Sequence, residues 1–134
     1  MAVQTAPAYR GAAFVRIAVA LQTLTLFFQA STAGLLLTSA HGELLHDVGA
    51  RVMYGASMLY VLAAVLAWRP GGASPRPVLY ASGFLLLASL QVVLGIAHLP
   101  ALHVPLGILM FTGSVLVLLG TRPGGAPGRP GTEK

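Results

Sequence analysis

Cysteine is absent from all 134 residues, which excludes disulfides, thiolate zinc sites, iron–sulfur clusters, covalently attached c-type haem and a lipidated N-terminal cysteine together. Charge is nearly as scarce, with three Asp and Glu, eight Lys and Arg, and charged residues amounting to 8% of the chain. Because 56% of residues are hydrophobic and the mean hydropathy is +0.81, there is too little polar surface to coat a water-soluble particle. The expectation is an all-α integral membrane protein whose first partner is the lipid bilayer. The net charge of +5 does not indicate nucleic acid, since the basic residues stand singly at the ends of apolar runs instead of forming a patch. Any metal chemistry must rest on the four histidines.

Four apolar segments, at roughly 12–38, 46–68, 78–98 and 101–120, each approach the ~20 residues that a bilayer's hydrocarbon core requires. Arg10 and Arg16 ahead of an apolar run mimic a signal peptide, but the run continues to Thr38 and reads as a retained first helix. Arg69-Pro70-Gly71-Gly72 stops the second segment, Pro75 and Pro77 are expected to keep the link extended until Val78, and Leu99-Pro100 makes a tight third reversal. The expected organisation is a cytoplasmic segment 1–11, a transmembrane domain 12–120 folded as an up-down-up-down four-helix bundle, and a disordered Pro/Gly-rich cytoplasmic tail 121–134.

Seven of the eight basic residues flank one side: Arg10 and Arg16, Arg69 and Arg76, then Arg122, Arg129 and Lys134. Cytoplasmic flanks carry the positive excess, so both termini are expected inside and the two histidine-bearing turns outside. The expected location is a bacterial plasma membrane.

Those turns share a spacing. Ala40-His41-Gly42-Glu43-Leu44-Leu45-His46 and Ala97-His98-Leu99-Pro100-Ala101-Leu102-His103 both read A-H-x4-H, and Phe28-Gln29 and Leu90-Gln91 lie upstream, the first copy being about five residues longer. A duplicated helical hairpin is the simplest reading. In an up-and-down bundle the second and fourth helices are diagonal, which sets His46 and His103 at one depth, facing each other as two axial ligands of one haem b held without covalent attachment. Along the same helix faces follow Gly49, Ala50, Met53 and Ser57 after His46, and Gly107, Met110 and Ser114 after His103. Small residues leave room for a flat macrocycle and methionines pack softly on it.

His41 and His98 form the competing pair, expected to end the first and third helices closer to water. Asp47 and Arg51 make an i,i+4 ion pair. Arg51, about 7.5 Å along the axis from His46 and about 140° around it, is placed to meet a haem propionate rather than the iron.

The run Gly42-Glu43-Leu44-Leu45-His46, entering a helix that ends Leu66-Ala67-Trp68-Arg69, resembles the E-x-x-H motif that opens the second helix of a heme A synthase half. Leu90-Gln91-Val92-Val93-Leu94-Gly95-Ile96, followed by Leu102-His103-Val104-Pro105-Leu106, resembles the L-Q-x-x-L-G run and following histidine of the same half. The likeness covers roughly residues 20–120. It implies that His46 and His103 match axial ligands and that Glu43 matches the acidic residue implicated in the chemistry of the substrate-binding half. Three features depart from the family: this chain is one half, Asp47 stands where the family usually has Arg, and the cysteine pair of many bacterial members is missing.

Three readings compete. The first is a b-type membrane cytochrome for electron transfer, haem handling or sensing. The second is a haem-modifying oxidoreductase related to heme A synthase, which needs a homodimer to restore eight helices. The third is a cofactor-free accessory subunit of a larger membrane complex, respiratory in the simplest case, whose histidines are merely interfacial.

Overall fold

The computed structural model describes residues 6–121, with side chains from Gly11 onward, and among them every regular element is a helix. These are α1 (Ala6–Leu35), α2 (Gly42–Trp68), α3 (Arg76–Ile96) and α4 (Pro100–Gly120). Each is long and apolar enough to span a membrane, α1 through its portion Gly11–Leu35. α1 packs most extensively on α2 and also on α4, and α3 packs on α2 and α4, so the principal contacts run round a square with α2 and α4 at opposite corners. Of the segment expected at 1–11, the chain is already helical from Ala6. Residues 1–5 and 122–134, including most of the expected tail, lie outside the described residues.

Side chains are distributed inside-out relative to a protein in water. Leu37, Ile96, Leu86 and Leu79 are each at least 70% exposed, while the buried positions are filled largely by alanines: Ala18, Ala63, Ala64, Ala67, Ala81 and Ala88. Lipid tails are as apolar as leucine, so burying large side chains gains little, and small residues let helices approach closely. One buried cluster of Val15, Val19, Tyr60 and all of these alanines except Ala88 fills the end near the α2–α3 loop. A second, of Leu26, Met53, Ala88 and Met110, lies nearer the histidines. Between α1 and α4 the Thr23 and Ser114 hydroxyls hydrogen-bond at 2.6 Å, both side chains buried.

Helix ends depart from the sequence expectations in three places. α1 ends at Leu35 rather than near 38, because Leu36–Ser39 turn back on the helix end, with the Ser39 N–H donating to Leu35 O at 2.9 Å. His41 therefore does not end α1; it occupies the N-cap of α2, which begins at Gly42 rather than 46. Pro77 does not hold an extended link but lies in the first turn of α3, where a missing N–H costs no helical hydrogen bond. Nor does His98 end α3: it follows the C-cap Ala97 and takes a left-handed conformation with φ 54°.

Candidate functional site

The imidazole rings of His46 and His103 come together with centroids 6.2 Å apart and planes inclined by 61°. Each reaches that place from the start of its helix: His103 from the first turn of α4, His46 from the fifth residue of α2. A metal–imidazole nitrogen bond is about 2 Å long and the ring centre lies about 1 Å farther, so two imidazoles on opposite sides of one metal have centres about 6 Å apart. The observed separation matches that distance.

Both rings are held by Nδ1. His103 Nδ1 lies 3.0 Å from the backbone carbonyl of Gln91 on α3. A carbonyl only accepts, so this nitrogen carries the proton, and in the neutral ring Nε2 keeps its lone pair. His46 Nδ1 lies 3.0 Å from the Thr32 hydroxyl on α1, and that hydroxyl itself donates to Gln29 O at 3.1 Å. With its hydrogen so committed, Thr32 Oγ1 accepts from His46 Nδ1, and His46 Nε2 is likewise free. Histidine ligands are oriented in this way, by a hydrogen bond from the nitrogen that does not bind the metal.

The two rings border a cavity of about 1050 Å³, at the upper end of the ~300–1,000 Å³ usual for ligand sites. All four helices line it. Leu26, Met53, Val92, Val104 and Phe111 contribute apolar wall, and Gly95 and Gly107 keep space open beside His103 and Gln91. A Cβ on Gly107 would come within 2.9 Å of Gln91 Nε2, and one on Gly95 within 3.5 Å of the His103 ring. Among the described residues, Gln91 Oε1 is buried with no hydrogen-bond partner. Glu43, Asp47, Arg51 and His98 also line the cavity, and Arg51 donates to Asp47 at 2.7 Å in an exposed ion pair.

Of the residues singled out from the sequence, His46, His103, Glu43, Arg51, Met53 and Gly107 thus meet at one cavity. Gly49 and Met110 do not line it. Gly49 faces α1, where an added Cβ would run into the Gln29 and Phe28 side chains, beside a smaller apolar pocket between α1 and α2. Met110 is buried in the cluster that includes the cavity-lining Leu26 and Met53. His98 lines the cavity and His41 does not. Thr32 and the Gln91 carbonyl were not marked as site groups by the sequence; the signal for them was the repeated Gln29 and Gln91, which the fold places beside His46 and His103.

No group of three or more His, Asp or Glu side chains converges among the described residues. A bare divalent ion therefore finds no full set of protein donors there, whereas two imidazoles at this separation suit a metal whose remaining ligands belong to a planar macrocycle. No family model matches the chain, and no curated protein or solved structure is similar enough to be matched to it.

Proposed function

We propose that this chain is a four-span membrane haem protein, folded up-down-up-down with both termini in the cytoplasm, binding one haem b noncovalently between His46 and His103 near the outer face. The observation that carries this reading is the 6.2 Å separation of two histidine rings whose Nδ1 atoms are both engaged and whose Nε2 atoms are both available. The cavity's size and apolar wall support it, as does Arg51 at its rim, placed to meet a carboxylate of the macrocycle. The positive flanks facing one side support the orientation, and a bacterial plasma membrane is the location that fits it.

Filling both axial positions leaves no vacant site for oxygen, so the group would supply one-electron transfer. The chain's part is to hold the two imidazoles in one tautomer, exclude water with Met53, Leu26 and Phe111, and neutralise carboxylates at the rim. Haem handling is the other use of such a site.

A second reading, a haem-modifying oxidoreductase resembling heme A synthase and acting as a homodimer, is favoured by one specific feature: Glu43 lines the same cavity as the two histidines. Visible absorption of the purified protein, followed by haem extraction and mass analysis, tests both. A six-coordinate low-spin spectrum with haem b is the expected result, and a modified haem recovered alongside it would favour the enzyme. A colourless protein that takes up no added haem contradicts both and leaves the accessory-subunit reading.

A further inference from the structure

His98 holds a backbone conformation that its residue type disfavours. α3 closes in a Schellman motif, in which the Leu99 N–H donates to Leu94 O at 3.0 Å and the His98 N–H to Gly95 O at 3.1 Å. That motif puts the residue after the C-cap in the left-handed region, the position glycine normally fills because a Cβ is unfavourable there. Among the described residues His98 is the one non-glycine with positive φ, and the other left-handed position is Gly72. A side chain kept where glycine fits better is grounds to look for its use.

Its surroundings indicate what that use is. His98 lines the His46–His103 cavity at the α3–α4 turn, and its Nδ1 donates to Ile96 O at 2.9 Å, which fixes the ring and turns the other nitrogen away from its own backbone. Apart from the two opposed histidines, the basic side chains lining this cavity are Arg51 and His98. Arg51 is already engaged by Asp47 at 2.7 Å. A b-type macrocycle carries two carboxylates, so a single, partly committed guanidinium leaves one of them without a cation.

We propose that His98 is a carboxylate-binding residue of this cavity, donating from Nε2 to one propionate of the macrocycle while Nδ1 stays on Ile96 O. The inference rests on the haem reading and adds to it the residue that recognises the acid side chain. With both nitrogens donating, the ring in this arrangement is the imidazolium and supplies the cation that the second carboxylate lacks. Glu43, whose carboxylate also lines the cavity and has no ion pair among the described residues, is the competing partner within the chain.

The experiment compares haem with its dimethyl ester, which lacks both carboxylates, on the full chain and on His98→Gly and His98→Asn. Glycine suits the left-handed position best and asparagine tolerates it, so neither substitution strains the turn. The wild type is expected to bind haem about a hundredfold more tightly than the ester, Arg51 and His98 each giving the roughly tenfold of one charge-assisted hydrogen bond. Both variants are expected to lose about tenfold of that preference, keeping the share due to Arg51 and the low-spin spectrum, and haem-free His98→Gly is expected to melt a few degrees above the wild type. An unchanged preference in the variants overturns the proposal. A lower melting temperature in haem-free His98→Gly also overturns it, by making the side chain a structural cap. Failure of the wild type to bind either compound is a separate outcome that overturns the haem reading and this inference together.

Discussion

The two opposed histidines are each fixed by a partner on a neighbouring helix, and the partners differ: a backbone carbonyl for His103, a hydroxyl for His46. This asymmetry makes the sites separable by mutation. Thr32→Val keeps the shape of the side chain but removes the acceptor, so haem affinity is expected to fall about 10- to 100-fold and the midpoint potential to shift while the low-spin spectrum persists. Titration of haem into the variant, with a potentiometric measurement alongside, checks it. His46→Ala or His103→Ala is expected to abolish the six-coordinate spectrum outright, because one remaining imidazole leaves an axial position open. His41→Ala, at the N-cap of α2 and outside the cavity, is expected to leave the spectrum intact. The meeting of His46 and His103 was legible because A-H-x4-H occurs twice and because ionisable groups are rare in this chain. Thr32 was not, since the five extra residues of the first copy hide its register with the second. Gly49 was misplaced for a related reason: sharing a helix face with His46 does not decide which neighbour that face meets, and here it meets α1.

At the scale of the helices, close approach and a few buried polar bonds replace the large apolar core of a soluble bundle. Gly42 shows how close: a Cβ there would run into the backbone of Leu35 and Leu36, which cannot move aside as a flexible side chain would. Gly42→Ala is therefore expected to spring the α1–α2 hairpin and lower stability by about 1–3 kcal/mol, measured as a fall in the denaturation midpoint in detergent. The Thr23–Ser114 bond ties α1 to α4 in the middle of the bundle. A double-mutant cycle of Thr23→Val and Ser114→Ala is expected to give a coupling of about 0.6 kcal/mol, the scale of such bonds between membrane helices. Four helices were legible from run length alone. Their ends were not, because hydropathy does not distinguish an apolar turn such as Leu36-Leu37 from helix, and Pro77, a breaker inside a helix, is a favourable opener in its first turn.

For the whole molecule, the square of packed helices brings the starts of α2 and α4 together, which the diagonal argument from the sequence required. The absence of cysteine makes topology simple to measure. Single cysteines at exposed Ser39 and Ser74 are expected to react with an impermeant reagent from opposite faces of the membrane, Ser39 from outside. Labelling of both from one face would contradict the four-span arrangement. Mass measurement in nanodiscs separates the functional readings, since the synthase-like one needs two chains per particle and the cytochrome reading needs one. The central claim, that His46 and His103 of one chain grip one iron, is tested most directly by titrating haem into the haem-free full-length protein and following its absorption. The account predicts a sharp end point at one haem per chain with a six-coordinate low-spin spectrum throughout; a high-spin product, an end point at one haem per two chains, or no spectral change would contradict it.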